Sequence, residues 1–384
     1  MGIYKGYDAL NEQDLQASLE VETLDLEYIV QTLGDELQAF SGKKIVITGA
    51  GGFLGFYLTK AIVHWNQEQP KDAQVSLIAS DNFLRGKPAW LEALADEQKL
   101  TLINFDVTDP WPDSAVNAHF YIHAATIASP IYYRQFPIET MDANVLGIRT
   151  LLDLAVERKT SAQPVEGILF FSTSEIYGDP DPQNIPTAES YRGNVSCTGP
   201  RACYDESKRY GETLCVNFAQ QHGVPVKTAR PFNNYGPGLS LSDRRAPPDF
   251  ARNVLEGNDI TLLSDGSPTR TFCYVADAVI GYFKILLRGA AGEAYNIGND
   301  APEISIRDFA TRMIGIAQQH LDYNGQLKFE NSDDEHYLTD NPQRRCPDIA
   351  KARAALEFAP GIELDEGIRR SLMWYRAQLD SPSS

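Results

Sequence analysis

The sequence predicts an α/β protein built on a doubly wound parallel sheet, with a helical N-terminal extension and a smaller, mostly C-terminal α/β region. Three observations lead to this fold class. A β-branched run at residues 43–48 leads directly into glycines that recur at every third position. Further short apolar runs alternate along the chain with longer helix-like stretches. Finally, this alternation covers most of the chain, which is typical of parallel strands joined by crossover helices.

Composition limits the possible function classes. The chain has 384 residues, of which 43% are hydrophobic, enough to bury a sizeable core. Its formal net charge of −18 argues against a nucleic-acid partner, because nucleic-acid-binding proteins present a basic surface to the phosphates. No apolar run approaches the roughly 18 residues of a transmembrane helix, so we expect no membrane partner.

The cysteines favour a reducing compartment. Their number is odd and none forms a CxxC pair, which argues against both a disulfide framework and a zinc site. We therefore expect a cytoplasmic protein without a bound metal. The cysteines are Cys197, Cys203, Cys215, Cys273 and Cys346.

Residues 1–40 form an acidic extension with nine carboxylates and a single lysine. Within it Leu24, Tyr28 and Leu33 keep roughly helical spacing, which predicts one or two short amphipathic helices. We expect the extension to pack on the body of the protein or at a subunit contact. A specific partner-binding role is the alternative.

The glycines after the first predicted strand form a dinucleotide-binding turn. They are Gly49, Gly52 and Gly55, and a helix-like stretch at residues 56–65 follows them. The first glycine allows a tight turn, the second lets a pyrophosphate approach backbone N–H groups, and the third lets the helix pack close to the strand. The N-terminus of that helix then faces the phosphates.

The second predicted strand, residues 75–79, ends beside Asp81. An acid at this position accepts hydrogen bonds from the adenosine ribose hydroxyls and repels a 2′-phosphate. The sequence therefore favours NAD over NADP. Arg85 lies close enough along the chain to keep NADP as an alternative.

The rest of the chain continues the same alternation. The further predicted strands are residues 100–105, 119–123, 167–171, 224–228 and 294–297, and the long predicted helices are residues 139–158 and 204–221.

Chemistry is expected where the strand at residues 167–171 ends. The hydroxyls and the carboxylate of residues 173–175 follow it directly, a position from which side chains reach a ligand in the crevice. Tyr204 and Lys208 lie four residues apart, on one face of a predicted helix. A nearby ammonium stabilises a tyrosinate, which makes the tyrosine a usable base at neutral pH.

Together these motifs resemble the extended short-chain dehydrogenase/reductases that act on nucleotide sugars, from about residue 42 to residue 376. Within that group the sequence most resembles the UDP-glucuronate decarboxylases. The segments that carry this closer likeness include residues 173–180, 203–209 and 340–349. The last of them lies far outside the generic cofactor motifs.

The resemblance implies an NAD-binding, Rossmann-like domain of residues 41–231, which also receives strands from residues 270–300. Residues 232–384 would mainly bind the nucleotide sugar. The two long helices would form an intersubunit four-helix bundle in a homodimer. The cofactor contacts that the motifs and the resemblance predict are Gly49, Gly52, Phe53, Leu54, Gly55, Asp81, Asn82, Asp106, Val107, Ala125, Tyr204 and Lys208.

The resemblance also implies a reaction cycle that converts UDP-glucuronate to UDP-xylose. C4 of the sugar is oxidised, carbon dioxide leaves the resulting 4-keto uronic acid, and the same cofactor reduces the ketone. The implied catalytic residues are Tyr204, Lys208, Thr173, Ser174, Glu175 and Arg345, and the implied substrate contacts are Tyr133, Asn233, Arg245 and Arg270.

Three other functions are kept open. A nucleotide-sugar 4,6-dehydratase uses the same cofactor and the same tyrosine and lysine, with an acid at the position of Glu175. A 4-epimerase usually lacks that glutamate, so it ranks below the dehydratase. A non-enzymatic NAD-binding scaffold ranks last, because the residues of the catalytic motifs are intact.

Overall fold

The computed structural model describes residues 12–243, 245–331, 339 and 341–378. Its strands are β1 Lys44–Thr48, β2 Ser76–Asp81, β3 Thr101–Asn104, β4 Phe120–His123, β5 Gly167–Phe171, β6 Val226–Pro231, β7 Asn234–Tyr235, β8 Ile260–Leu262, β9 Thr269–Arg270, β10 Cys273–Tyr274, β11 Ala294–Ile297, β12 Ile304–Ser305, β13 Leu327–Phe329 and β14 Arg344–Arg345.

Some of the α-helices cover the two faces of the main sheet, and the others belong to the C-terminal region. They are α1 Glu12–Leu33, α2 Phe53–Gln67, α3 Ala89–Asp96, α4 Asp113–Val116, α5 Pro130–Gln135, α6 Pro137–Glu157, α7 Ala202–His222, α8 Ala246–Leu255, α9 Val275–Arg288, α10 Ile306–His320, α11 Ala350–Leu356 and α12 Leu364–Arg376.

Seven parallel strands form the central sheet, in the order β11-β6-β5-β4-β1-β2-β3. Strands β1, β4 and β5 are almost wholly buried, as expected for strands with helices on both faces. The predicted doubly wound parallel sheet is confirmed, and strand β11 joins it from the C-terminal half of the chain as expected.

The position of the functional crevice follows from this strand order. The chain builds β1, β2 and β3 outward on one side and then returns to place β4 on the other side of β1. Loops leaving the carboxyl ends of β1 and β4 therefore diverge, and ligands of doubly wound sheets bind in the opening between them.

The C-terminal region contributes three small sheets beside the carboxyl ends of the central strands. Strand β9 lies between β12 and β14, β7 pairs with β10, and β8 pairs with β13. Strand β14 thereby carries Arg345 into register with Arg270 of β9. The division of the chain at residue 231 stays a prediction.

The N-terminal extension differs from the prediction of short helices. Helix α1 runs for 22 residues, and a 3₁₀ helix over Gly34–Phe40 follows it. Its buried positions recur every three or four residues from Ser18 to Leu33, so one face stays on the body throughout. Leu24 falls off this stripe and is 49% exposed. Asp8, one of the nine carboxylates of this extension, lies outside the described residues.

A buried carboxylate fixes α1 to the body. Asp25 is fully buried, and one of its oxygens accepts hydrogen bonds from the hydroxyls of Tyr57 and Tyr274, each at 2.6 Å. The other oxygen accepts from Nη1 of Arg370 at 2.7 Å. These partners come from α2, β10 and α12, so α1 joins the glycine-turn helix to the C-terminal region.

We expect Asp25→Ala to lower the free energy of unfolding by about 3 kcal/mol, because it leaves two buried tyrosine hydroxyls without their acceptor and leaves Arg370 with Glu366 alone as its carboxylate partner. Urea denaturation followed by circular dichroism measures this loss. Glu20→Ala on the exposed face of α1 is the matched control and should change stability by less than about 0.5 kcal/mol. A loss below about 1 kcal/mol for Asp25→Ala would contradict the structural role.

Candidate active site

The glycine turn is shaped by close backbone contacts. Gly49 has a φ of +70°, and a Cβ built on it would lie 2.7 Å from the backbone of Ala124 and Ala125. A Cβ on Gly55 would overlap the carbonyl oxygen of Gly49, at 2.5 Å. Any side chain at Gly49 or Gly55 would therefore push the turn away from β4 or α2 away from the turn. Gly52 is exposed at the start of α2, where free N–H groups and the helix dipole favour an anion.

Asp81 ends β2 against this turn. Its two side-chain oxygens accept hydrogen bonds from the backbone N–H groups of Gly51 at 3.0 Å and Phe83 at 2.9 Å. Burial raises the pKa of this carboxyl despite those hydrogen bonds. Arg85, the residue that left NADP as an alternative, places its guanidinium over the ring of Tyr132, 4.9 Å from the ring centroid.

The other predicted cofactor residues lie along the same edge of the sheet. Asn82 donates to Asp106 at 2.9 Å, and Thr108 donates to the other oxygen of Asp106 at 2.7 Å. Burial alone would raise the pKa of Asp106, but these hydrogen bonds lower it. Val107 is buried, and the backbone N–H of Ala125 faces Oγ1 of Thr48 at 3.4 Å. Phe53 and Leu54 open helix α2 and are partly buried.

Tyr204 and Lys208 lie in the first turns of α7, and both are buried. The hydroxyl of Tyr204 is hydrogen-bonded to the side chain of Thr173, whose Oγ1 also accepts from the backbone N–H of Glu175 at 3.2 Å. Nζ of Lys208 donates to the carbonyl of Phe171 at 2.7 Å and lies 5.9 Å from the Tyr204 ring centroid. The tertiary structure therefore brings two motifs together: residues 173–175 at the end of β5, and the pair of Tyr204 and Lys208 on α7. Ser174 is buried beside them.

The electrostatics of this pair differ from the expectation of a lowered tyrosine pKa. Burial raises the pKa of Tyr204, with only partial opposition from Thr173 and Arg245. Burial also lowers the pKa of Lys208 to about 7. The reason is desolvation, which disfavours the charged form of both groups when neither touches the other. Within this chain alone, Lys208 does not hold Tyr204 as a phenolate.

Glu175 lies between two arginines at the strand exit. It accepts a bidentate hydrogen bond from Arg345, at 2.7 and 2.6 Å, and an ion pair from Nη2 of Arg201. Burial alone would raise the pKa of Glu175, but the two guanidinium groups hold it at about 2. The carboxylate is therefore ionised at neutral pH, and the stability that its ion pairs add is lost only as the pH falls toward that value.

Arg201 is a residue that the sequence motifs did not single out. It lies three positions before Tyr204, at the start of α7, where no residue pattern marks a charged group as functional. Its contact to Glu175 joins the strand exit to α7, because Glu175 follows β5 and is separated from Arg201 by 26 positions. Only the folded chain shows this contact.

Tyr133 packs directly on Tyr204. The rings of Tyr133 and Tyr204 stack with their centroids 5.2 Å apart and an interplanar angle of 9°. The Tyr133 side chain is buried, and its hydroxyl makes no hydrogen bond to any part of the chain that the structure describes. A polar atom left in this way is suited to a ligand.

The remaining predicted substrate residues bind protein groups. Arg270 is buried and donates to the carbonyl of Pro342 at 2.6 Å and to Oδ1 of Asn341 at 3.2 Å. The backbone of Asn233 has a positive φ of 43°, and Nδ2 of its side chain donates to the carbonyl of Thr271. Their contacts to a substrate stay predictions.

Arg245 directly precedes helix α8 and pairs with Asp243. Its Nε and Nη2 donate to the two oxygens of Asp243, at 3.0 and 2.9 Å. Its charge is close enough to Tyr204 to oppose the upward shift of the tyrosine pKa. Binding of a diphosphate by Arg245 would require it to share or leave Asp243, and this role also stays a prediction.

Residues 45–298 match the model of the NAD-dependent epimerase/dehydratase family. The chain belongs to this family. The match confirms the resemblance seen in the sequence, and family membership accounts for the NAD-type turn and the acid that follows β2. Within the described residues, the glycine turn and Asp81 fit NAD, because the turn leaves backbone N–H groups free at a helix start.

Relatives and solved structures agree with this family. UDP-glucuronic acid decarboxylase 1 of Xenopus tropicalis is 36% identical over 338 residues, which cover 88% of this chain and 73% of that protein. UDP-glucuronic acid decarboxylase 6 of Arabidopsis thaliana is 34% identical over 342 residues, which cover 89% and 91%. UDP-glucuronic acid 4-epimerase from Bacillus cereus, solved with UDP-glucuronic acid and NAD, superposes with a TM-score of 0.69 at 22% identity, covering 88% of this chain and 99% of that one.

The described residues contain neither a membrane-spanning helix nor a disulfide bond. None of their helices combines the length and the apolar character of a membrane span. All five cysteines carry free thiols.

Proposed function

We propose that this protein is an NAD-dependent decarboxylase that converts UDP-glucuronate to UDP-xylose. The observation that carries the proposal is the bidentate contact of Arg345 with Glu175. Glu175 lies two residues after Thr173, whose side chain is hydrogen-bonded to the hydroxyl of Tyr204. A guanidinium that binds a carboxylate in this way has the geometry to bind the carboxylate of a uronic acid. Relatives named UDP-glucuronic acid decarboxylase support the choice of sugar.

The glycine turn and Asp81 would hold NAD, which would supply a hydride acceptor for the oxidation at C4 and a hydride donor for the later reduction of the ketone. The groups of the chain perform the remaining work. Because burial raises the pKa of Tyr204, its own proton must leave before it takes the C4 hydroxyl proton, and Thr173 holds the tyrosine oxygen in place for this transfer. Lys208 is buried near Tyr204, with its Nζ fixed by the carbonyl of Phe171, and its pKa of about 7 lets it gain or lose a proton at neutral pH.

Arg345 acts on the carboxylate of the substrate. Once C4 is a ketone, the carboxylate at C5 is β to it, so the electrons of the breaking carbon–carbon bond move into an enolate. Arg345 orients the carboxylate for this cleavage through its planar guanidinium, whose Nε is not engaged by Glu175. C5 of the enolate then takes a proton from water, which regenerates the 4-ketone. Glu175, ionised at neutral pH, fixes Arg345 before the substrate arrives.

A product assay tests the proposal. The protein is incubated with NAD and UDP-glucuronate, and in parallel with UDP-glucose, and the products are identified by mass spectrometry. Loss of carbon dioxide from UDP-glucuronate supports decarboxylation. Loss of water from the neutral sugar, with no reaction of the uronate, would instead identify a 4,6-dehydratase, and an isomer of unchanged mass would identify a 4-epimerase.

We also infer a homodimer that pairs α6 and α7 of two subunits. These helices pack on each other within the chain, and their outer face keeps large apolar side chains exposed. Exposed apolar side chains clustered in this way favour an interface. They are Ile138, Met141 and Leu146 on α6 and Tyr210 on α7.

Light scattering at micromolar concentration is expected to give twice the mass of the chain. Leu146→Glu should shift the protein toward the monomer, because a carboxylate would be buried without a partner at the interface. Leu15→Glu is the matched control, since Leu15 is 49% exposed against 47% for Leu146 but lies on α1. A monomeric mass for the unmodified protein would overturn the dimer.

The compartment is inferred from the cysteines. Free thiols at all five positions fit a reducing environment such as the cytoplasm.

A further inference from the structure

The cluster around Glu175 and Arg345 contains further charged side chains. Arg201 and Arg345 both contact Glu175, Nε of Arg201 lies 3.8 Å from Oδ2 of Asp205, and all four side chains are largely buried. Arg270 is close enough for the charges of Arg345 and Arg201 to lower its pKa, after burial itself, to about 9. Three guanidinium groups therefore face two carboxylates at this strand exit.

This balance decides whether a second carboxylate can enter. Glu175 and Arg345 alone form a neutral pair, so an incoming uronate would meet a buried negative charge with no free positive charge to offset it. Opposite charges in a buried site must balance, because an uncompensated buried charge is strongly unfavourable. With Arg201 present, the three guanidinium groups of Arg201, Arg270 and Arg345 exceed the two carboxylates of Glu175 and Asp205 by one positive charge, which matches one substrate carboxylate.

Two donors are also left over for that carboxylate. Nε of Arg345 is buried and makes no hydrogen bond to any described residue. Nε of Arg201 is in the same state, apart from the distant ion pair to Asp205. The hydroxyl of Tyr133 adds a third buried polar atom without a partner among the described residues, and the charges of Arg201 and Glu175 both act on it.

We propose that Arg201 determines specificity for a uronate by holding Glu175 while Arg345 binds the substrate carboxylate. Arg201 is thus a positioning residue that acts through Glu175. The inference rests on the proposed decarboxylation and deepens it, because it names the group that lets two carboxylates occupy one buried site. Asp205, one turn along α7, limits the excess to a single charge and so disfavours a more highly charged sugar.

Binding measurements test the charge balance without relying on turnover. Isothermal titration calorimetry is carried out in a Tyr204→Phe background saturated with NAD, which prevents consumption of the sugar. The titrants are UDP, UDP-glucose and UDP-glucuronate. Arg201→Gln should weaken binding of UDP-glucuronate about tenfold or more, and should leave Kd for UDP and UDP-glucose within about threefold.

Removal of both charges should restore binding. The double variant Arg201→Gln/Glu175→Gln returns the cluster to one excess positive charge, so its Kd for UDP-glucuronate should recover to within about threefold of the parent. Glu175→Gln alone should bind the uronate at least as tightly as the parent. Arg201→Lys, which keeps the charge without the fork, should retain most of the preference for the uronate.

Arg344→Gln is the matched control, because Arg344 neighbours Arg345 but pairs with Glu303 near the surface. It should leave all three dissociation constants within about twofold. Equal weakening of UDP-glucose and UDP-glucuronate by Arg201→Gln, or no recovery in the double variant, would show a merely structural role and overturn the inference.

The outcome separates this inference from the proposed function. If the unmodified protein releases carbon dioxide from UDP-glucuronate but Arg201→Gln keeps the full preference for the uronate, only the role of Arg201 is wrong. If the unmodified protein releases no carbon dioxide and the parent binds the uronate no better than UDP-glucose, the proposed function and the inference both fail.

Discussion

Tyr204→Phe is expected to lower turnover of UDP-glucuronate by about a hundredfold or more, with NAD binding retained. The substitution removes only the hydroxyl that is hydrogen-bonded to Thr173, while the ring can keep its stacking on Tyr133. Without that hydroxyl the C4 proton has no acceptor at the strand exit. Product formation followed by mass spectrometry measures the loss, and calorimetry with NAD measures retention of the cofactor.

Tyr210→Phe serves as the control for this substitution. Tyr210 lies on the same helix but is 52% exposed, so its hydroxyl has no access to the buried site. Its turnover should equal that of the unmodified protein within about twofold. Activity of Tyr204→Phe within about threefold of the unmodified protein would mean that another group is the base.

Arg345→Ala is expected to damage decarboxylation more than the first oxidation. It removes a charge-assisted contact worth about 1.5–3 kcal/mol, and it leaves Arg201 as the arginine that still pairs directly with Glu175. The variant should bind UDP-glucuronate more weakly and accumulate NADH absorbance, because oxidised sugar would wait for the slower loss of carbon dioxide. Stopped-flow absorbance and product analysis separate the two steps.

The neighbouring arginine again gives the comparison. Arg344→Ala removes the same charge from the same short strand but breaks a surface pair with Glu303, so its effect on either step should be small. In the Arg345 variant, turnover of a uronate should fall more than turnover of a neutral hexose, because only the uronate presents a carboxylate. Equal losses for both sugars would mean that Arg345 holds the diphosphate or the fold, and would favour the 4,6-dehydratase.

The central sheet and the glycine turn could be predicted from the sequence because their signals are local. Strand β5 and strand β11 fall at the predicted residues, since short apolar runs buried on both faces have few other stable arrangements. Gly49 directly follows β1 and Asp81 is the last residue of β2, so a strand prediction already fixes their position relative to a bound dinucleotide.

Local pattern was a poorer guide to the N-terminal helix. Its spacing indicated an amphipathic element, but Leu24 was assigned to the apolar face although it is exposed. The buried face instead includes Asp25, a residue type that hydropathy assigns to solvent. A carboxylate is buried there because hydroxyls from Tyr57 and Tyr274 and the guanidinium of Arg370 satisfy it, and those residues are distant in the chain.

The sequence by itself determined the sheet, the glycine turn and the placement of Tyr204 and Lys208 on one face of a helix. Each of these depends on spacing within a short stretch of chain. The tertiary structure alone decided how charges meet at the strand exit. Glu175, Arg201 and Arg345 come from three separate elements, and their pairing depends on distances that no residue pattern encodes. The raised pKa of Tyr204 was decided in the same way, since desolvation depends on what packs around a group and not on its neighbours in the chain.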